Sequence, residues 1–347
     1  MRYRFDEIAY NSTAKKKPTE DDKETYIGLE HLDSECLTIS RWGSEVAPVG
    51  EKLIMKKGDI LFGKRRAYQR KVGIAPFDGI FSAHGMVLRP NEEVINPNFF
   101  PFFISSDQFM ERAVRISVGG LSPTINWKDL REQEFDIPSL DEQKELADKL
   151  WAAYNLKESY KKLLSATDEM VKSQFIEMFE GDKYPKTRLG DFVSIRTGKL
   201  DANASSENGK YPFFTCGVET LKIDDYAFDC EAVLLAGNGE FCVKYYNGKF
   251  NAYQRTYVIE TLDNNVISVP YLYAWFGQYA KVLRGKAIGG IIKYIKMGDL
   301  TEAKISFPPL EVQNSYVAIA QQADKSKFKL RKSIDAIDAV IKSLING

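Results

Sequence analysis

Two long stretches of this chain, 141–180 and 311–346, place apolar residues at helical spacing and contain no proline or glycine. Both are rich in Glu, Lys, Ala, Leu and Gln, residues that lose little on entering a helix. Asp141 and Glu142 open the first stretch and Glu311 the second, where negative charge is favourable against the helix dipole. At about 1.5 Å per residue, each helix reaches roughly 50–60 Å. In the second, Ala320, Ala323, Lys327, Leu330, Ile334, Ile337, Ile341 and Leu344 alternate steps of three and four, the spacing of a coiled-coil seam. Moving back 170 positions gives Leu150, Ala153, Lys157, Tyr160, Leu164, Thr167, Val171 and Gln174, with a lysine at the same seam position. Such a stripe needs a partner. The other helix of the same chain carries an equivalent one, which predicts antiparallel pairing within the chain; pairing of one or both stripes with a second chain is the alternative.

Ahead of each helical stretch the pattern changes to short strand-like runs, among them Asp59-Ile60-Leu61-Phe62 and Ala232-Val233-Leu234-Leu235, separated by Gly, Asn and Asp turns. The change recurs because the chain repeats itself. Phe135-Asp136-Ile137-Pro138-Ser139-Leu140-Asp141-Glu142-Gln143 matches Ile305-Ser306-Phe307-Pro308-Pro309-Leu310-Glu311-Val312-Gln313 at an offset of 170. At that offset Gly119-Gly120 falls on Gly289-Gly290, Ile125 on Ile295 and Asp129-Leu130 on Asp299-Leu300. Further upstream the register slips by one, and Phe81-Ser82-Ala83-His84 parallels Phe250-Asn251-Ala252-Tyr253. The period is far too long for a solenoid. The expected fold is α+β with a pseudo-two-fold internal repeat. Mixed α/β domains at 1–137 and 184–307 alternate with helical segments at 138–183 and 308–347, the helices pairing as an antiparallel coiled coil.

Two globular domains alternating with two helices, each helix introduced by Pro-x-Leu-x-x-Gln, resemble the specificity subunits of type I restriction-modification systems. Pro138 to Gln143, Pro308 to Gln313 and the domain start Leu189-Gly190-Asp191-Phe192 carry the likeness, which extends over essentially the whole chain. The resemblance implies that each domain is a target recognition domain reading one half of a split double-stranded DNA sequence. It also implies that the paired helices act as spacer and docking surface for two modification (methyltransferase) subunits, which restriction (endonuclease) subunits join. The chain itself then does no chemistry. Physical reasoning agrees: two similar domains on a stiff rod suit two half-sites separated by about a helical turn of DNA, roughly 35 Å. Domains that differ in detail imply an asymmetric target.

Composition changes this picture in one respect. With 48 basic and 48 acidic residues the net charge is zero, so any DNA surface has to be a local patch. The densest patch is Lys56 to Lys71, with seven cations against Asp59. Within it Lys64, Arg65, Arg66, Tyr68, Gln69, Arg70 and Lys71 read as a loop suited to phosphates and guanine edges, with Gln69 available for adenine; a solvated charged loop is the plainer reading. The counterpart, Gly237 to Tyr246, has few cations and offers Asn238, Lys244 and Tyr245. Better charged in that half are Lys281, Arg284, Lys286, Lys293 and Lys296 around Gly289-Gly290; the first half has Arg112, Arg115 and Lys128 around Gly119-Gly120. Paired glycines allow close backbone approach to a phosphate or simply a tight turn. Ser82, His84, Asn251, Tyr253, Gln254 and Arg255 are secondary candidates.

Catalytic words are weak or missing. Asn96-Pro97-Asn98-Phe99 only partly resembles the Asn-Pro-Pro-Tyr word of adenine methyltransferases, and proline in the first turn of a helix explains it and Val269-Pro270-Tyr271 better. No glycine-rich fingerprint follows a strand, and no phosphate-loop word occurs, so no cofactor is expected. Cys36, Cys216, Cys230 and Cys242 lack metal-ligand spacing and are expected to be buried thiols without metal. With no apolar run near 20 residues and no leader-like opening, a soluble cytoplasmic protein with no membrane partner is expected. The competing readings are a stand-alone methyltransferase or nuclease with dispersed catalytic residues, and a protein scaffold.

Overall fold

The computed structural model describes residues 1–181, 183–289 and 293–346, and the chain divides into two compact units. Unit 1 comprises Met1–Lys161 together with the stretch from Lys332 onward, and unit 2 comprises Lys162–Arg331. The two long helices form at Leu140–Phe179 and Leu310–Asn346, each beginning one residue before the spacing predicts. Each unit therefore takes one globular part and portions of both helices.

In unit 1 the fully buried strand Ile60–Phe62 lies between Met86–Pro90 and Val72–Ile74, and Ala9–Ser12 pairs on the far side of Met86–Pro90. A second four-stranded sheet joins Lys15–Lys16, Lys52–Met55, Gly79–Phe81 and Tyr26–Ile27, the last pairing parallel. Between the first sheet and the helices packs a cluster of phenylalanines. Phe5, Phe62, Phe103, Phe109 and Phe135 meet with ring centroids 5.3–5.8 Å apart, the offset and edge-on range that aromatic rings prefer.

Unit 2 has one six-stranded sheet, in which Val193–Thr197, Thr256–Thr261, Phe228–Ala236 and Val243–Ala252 follow the same order as the first sheet of unit 1. Tyr211–Phe214 adds in parallel at the far end of Val243–Ala252, and Leu221–Ile223 closes the edge. The core holds Phe175, Phe179, Tyr271 and Tyr316. Tyr271 is fully buried; its hydroxyl donates to Ser306 O at 2.9 Å, which satisfies the one polar group such a ring brings inside.

Both units are closed by the same device. Arg2–Arg4 pairs antiparallel with Glu134–Asp136, and Lys186–Arg188 with Lys304–Ser306, so the start of each globular part lies beside its end. Immediately after the closing strand comes the Pro-x-Leu-x-x-Gln word. Gln143 is fully buried; its Oε1 accepts from Asn96 N at 2.7 Å, and its Nε2 donates to Val94 O at 3.0 Å and Pro138 O at 2.9 Å. Gln313 repeats the arrangement with Ser268 N, Val266 O and Pro308 O at 3.0, 2.9 and 3.0 Å. Each glutamine thus pins the first turn of a long helix to the loop that starts another helix of its unit, and a buried amide with three partners is costly to lose. Ser139 and Glu142 add a reciprocal cap at the first helix.

Every residue of the two seam series is turned from solvent: Leu150, Lys157, Ala323 and Ile341 are buried, and Ala153, Tyr160, Leu164, Val171, Ala320, Leu330, Ile334 and Ile337 are partly so. Contacts join the helices within each unit. In unit 1 Lys157 Nζ lies 2.7 Å from Asp338 Oδ1, and in unit 2 Lys327 Nζ lies 2.8 Å from Asp168 Oδ1. The seam lysines are thus ion-paired between the helices.

Three local expectations are corrected. The four cysteines are free but half-buried rather than buried; burial and then Glu260 push the Cys230 thiol up to about 12. Pro97 sits in a turn ahead of the helix Phe100–Ser105, whereas Pro270 does occupy the first turn of Val269–Lys286. Ser82 and Asn251 are buried, and the Asn251 amide is used on Asp225 O and its own neighbour Ala252 N, which removes them from any surface. Among the described residues no helix is long and apolar enough to cross a membrane.

Candidate nucleic-acid interface

Each unit builds a composite of two loops at one end of its sheet. In unit 1 the loop after Ile60–Phe62 meets the Gly119-Gly120 hairpin: Ile125 N donates to Lys64 O at 3.0 Å, Arg65 bridges Thr124, and Arg66 N donates to Pro123 O at 2.7 Å. In unit 2 the loop after Phe228–Ala236 meets the other hairpin in the same way. Ile295 N donates to Gly237 O at 3.0 Å, Asn238 bridges Tyr294, and Gly239 N donates to Lys293 O at 3.0 Å. Each hairpin is closed by one bridge, Val118 to Thr124 and Ile288 to Tyr294. Both turn on a left-handed glycine, Gly119 at φ 111° and Gly289 at φ 119°, a conformation that costs glycine nothing. Gly120 is exposed; Gly290 lies outside the described residues.

This frame aligns Lys64, Arg65 and Arg66 with Gly237, Asn238 and Gly239. The side chains on it differ. Arg65 and Arg66 are exposed, and the Arg66 guanidinium rests on Ser122 Oγ at 3.1–3.2 Å. Lys64 is half-buried, and burial, then repulsion from Lys15, lowers its pKa. Arg66 also holds a left-handed backbone, φ 57°, where its counterpart Gly239 has φ 72°. For a residue with a Cβ that conformation costs roughly 1–3 kcal/mol. Unit 1 thus keeps a long cationic side chain at a position where glycine would be more stable.

The rest of the basic run is divided. Tyr68 is 54% exposed beside Met110, Glu111, Val114 and Arg115, and Gln69 is half-buried. Arg70 and Lys71, counted with the surface cations in the sequence, are held internally. Arg70 pairs with Asp107 at 2.7 Å and Glu35 at 3.2 Å and donates to Ser105 O, while Lys71 donates to Leu29 O at 2.6 Å. They shape the loop, and their charge is largely spent inside it. Arg112 stacks over Phe135, 5.2 Å from the ring centre.

In unit 2, Arg284 donates to Glu240 O at 3.1 Å and so belongs to the composite, as does Lys293 through its backbone. Lys286 turns back to Tyr279 Oη at 3.2 Å. Lys244 and Tyr245 are not brought to the loops' frame. The Lys244 ammonium lies over the Phe214 ring and donates to Glu219 O, and burial lowers its pKa. Tyr245 donates its hydroxyl to Glu231 at 2.5 Å, with burial and that carboxylate pushing it up to about 12. Ser122, the exposed Leu121 and Tyr294 are members that composition does not single out; the offset of 170 between the two hairpins is the signal that reaches them. Among the described residues no group of three or more His, Cys, Asp or Glu side chains is placed to hold a metal ion.

The chain is built from two like α/β units, each closing beside the start of a long helix, and known relatives supply the class: the DNA-specificity proteins of type I restriction-modification. The chain belongs to this family, because the model "Type I restriction modification DNA specificity domain" matches residues 7–166 and 182–337. The Escherichia coli type I restriction enzyme EcoDI specificity subunit is 48% identical over 148 residues, which are 42% of this chain and 33% of that protein. A crystal structure of a type I restriction-modification S subunit from M. genitalium covers 99% of this chain and 94% of its own, with TM-score 0.65 and 15% identity. A structure from work on complex assembly and conformational transition of the type I R-M system covers 99% and 96%, with TM-score 0.61 and 17% identity. At these identities the two structures speak to the fold.

Proposed function

We propose that this chain is the DNA-reading subunit of a type I restriction-modification complex and recognises an asymmetric, two-part site, one part with each loop composite. The observation that carries the reading is the shared hydrogen-bonded frame with unlike side chains: Arg65 and Arg66 in one unit, Asn238 and Gly239 in the other. Arginines suit guanine edges and phosphates, asparagine suits adenine, and a constant frame with variable side chains is what two different half-sites require. The globular parts 1–137 and 184–307 act as recognition domains and 138–183 and 308–347 as spacers. The long helices pair as an antiparallel coiled coil, a reading supported by the ion pairs of Lys157 with Asp338 and Lys327 with Asp168. Two modification subunits and restriction subunits assemble on it in the cytoplasm and carry the chemistry; the chain itself is non-catalytic.

Adenine methylation is to be mapped across a host genome expressing this chain with its modification subunit, against a host lacking the chain. A new split motif is the expected result, and exchange of 184–307 for another such domain should change one half of it. Methylation identical in the two hosts, or a change in both halves, would overturn the reading. A sharper check uses Arg66→Gly, which relieves the left-handed strain. The variant should be at least as stable as the parent, yet bind its DNA more weakly, with a salt dependence shallower by about one charge. Titrations in a salt series measure both; an unaltered slope removes Arg66 from the interface.

A further inference from the structure

Equivalent places in the two units are filled differently. In unit 1 the edge strand Val72–Ile74 is flanked by the chain's own segment 34–38: Ile74 N donates to Leu37 O at 2.9 Å, Glu35 N donates to Arg70 O at 3.2 Å, and Ser34 and Thr38 bridge Lys71 and Ile74. Leu37 is buried, and the N–H groups of Leu37 and Thr38 both donate to Tyr154 Oη, at 3.0 and 2.9 Å. The Thr38 hydroxyl lies 3.0 Å from the same oxygen. Inserted this way, the segment leaves a cavity of only about 70 Å³ against Phe102, Ser105, Tyr154, Lys157 and Ile341.

Unit 2 has the same cavity without the segment. Val171, Asp324 and Lys327 stand 170 residues from Ile341, Tyr154 and Lys157 and line a space of about 320 Å³. The paired contacts of Gln143 with Asn96 N and Gln313 with Ser268 N align Phe102 with Ala274 and Ser105 with Gly277, both of which also line it. Smaller side chains at four aligned positions therefore enlarge the cavity: Ala274 for Phe102, Gly277 for Ser105, Asp324 for Tyr154 and Val171 for Ile341. The strand beside it is open as well. Ala236 N donates to Cys242 O as Gly63 N donates to Lys71 O, both at 2.9 Å, and this alternation turns the N–H groups of Val243 and Tyr245 away from the sheet. Along Val243–Ala252, Tyr211–Phe214 pairs with Asn251 and Ala252 alone, and on its other side with Leu221–Ile223. Among the described residues no backbone group pairs with the outer edge of Val243 to Asn247.

We propose that unit 2 binds an extended segment of a partner polypeptide along this edge, with an apolar side chain entering the cavity and a donor group against Asp324. The arrangement is strand addition, in which main-chain bonds give affinity and a pocket gives selectivity. Charge favours a donor. Of the two carboxylates that share Lys327, Asp324 at 2.9 Å lines the cavity and Asp168 at 2.8 Å lies outside it, so the ammonium is divided and Asp324 is only partly neutralised. The occupant carries an apolar residue followed by a basic or hydroxyl residue, as Leu37-Thr38 does in unit 1. This site is separate from DNA reading and does not depend on it.

The test uses the whole chain and a fluorescent peptide of the sequence Ser34 to Ser40, with a second peptide bearing Thr38→Lys. Saturable binding by anisotropy is expected, tighter for the lysine peptide at low salt. Ala274→Phe, which fills the cavity as in unit 1, should weaken binding at least ten-fold, and Val243→Pro, which removes an outward N–H, should do the same. Melting curves confirm that each variant is folded, and a ten-fold loss in either folded variant supports the site. Absence of saturable binding at millimolar peptide, or binding that both folded variants leave unchanged, overturns it; the latter would mean that the peptide sits elsewhere, for example in exchange with segment 34–38 itself.

Discussion

Gln143→Leu should destabilise unit 1 by about 3–5 kcal/mol, because leucine fills the space but leaves Asn96 N, Val94 O and Pro138 O without the partners they have at 2.7–3.0 Å, each buried loss costing about 1–3 kcal/mol. For a unit of this size that corresponds to a melting shift on the order of 10 °C. Gln143→Glu is the informative companion. Its carboxylate accepts from Asn96 N but meets the two carbonyl oxygens without a proton to give, so it should be destabilising at neutral pH and less so where the carboxyl is protonated. Differential scanning calorimetry of the whole chain reads both, and a Gln143→Leu transition within 2 °C of the parent, well below the shift argued above, would mean that water or loop movement replaces the amide.

Asp338→Ala is expected to cost about 2–3 kcal/mol while Lys157→Met costs under about 1 kcal/mol, although both break one ion pair. The reason is where the charges lie. The Lys157 side chain is 7% exposed and that of Asp338 is 43% exposed. Removing the aspartate strands an ammonium inside the unit, with the Tyr154 ring 5.6 Å away as a partial offset. Removing the lysine leaves a carboxylate that water already solvates, and methionine keeps the packing. Equal losses in chemical denaturation would show that the ammonium finds solvent by rearranging its flexible stem.

The helices were legible in sequence to within a residue because the three-four spacing is a local property of a continuous stretch, and the repeat was legible because one offset holds from the paired glycines through the helices and slips by only one upstream. The composite of loops was partly legible: the basic run and the glycine pairs point to it, and the frame that joins them does not appear in either stretch alone. Arg70 and Lys71 show why. Their charge is visible in sequence, but Glu35, Asp107 and Leu29, which occupy them, are brought in by the fold. Gln143 and Gln313 were recognisable as part of a recurring word without a reason for it. The reason is a loop start 47 residues before Gln143 and 45 before Gln313, a partner that periodicity cannot indicate. Tyr245 and Lys244 lie away from the loops' frame for the opposite cause, since sequence proximity to Asn238 does not decide which face of a strand a side chain takes.

The closing strand pairs have a consequence for how such a chain changes over time. Arg2–Arg4 against Glu134–Asp136, and Lys186–Arg188 against Lys304–Ser306, set the two ends of each globular part side by side, about 4.8 Å apart as neighbouring strands are. A stretch whose ends touch can be cut out by recombination and replaced by another of different length without altering the gap that the remaining polypeptide must bridge. The same adjacency makes each part a candidate for circular permutation, with old ends fused across a short linker and new ones opened at an exposed turn. Exchange of such an insert would leave in place the buried glutamines that follow each closing strand and the helix starts that they hold.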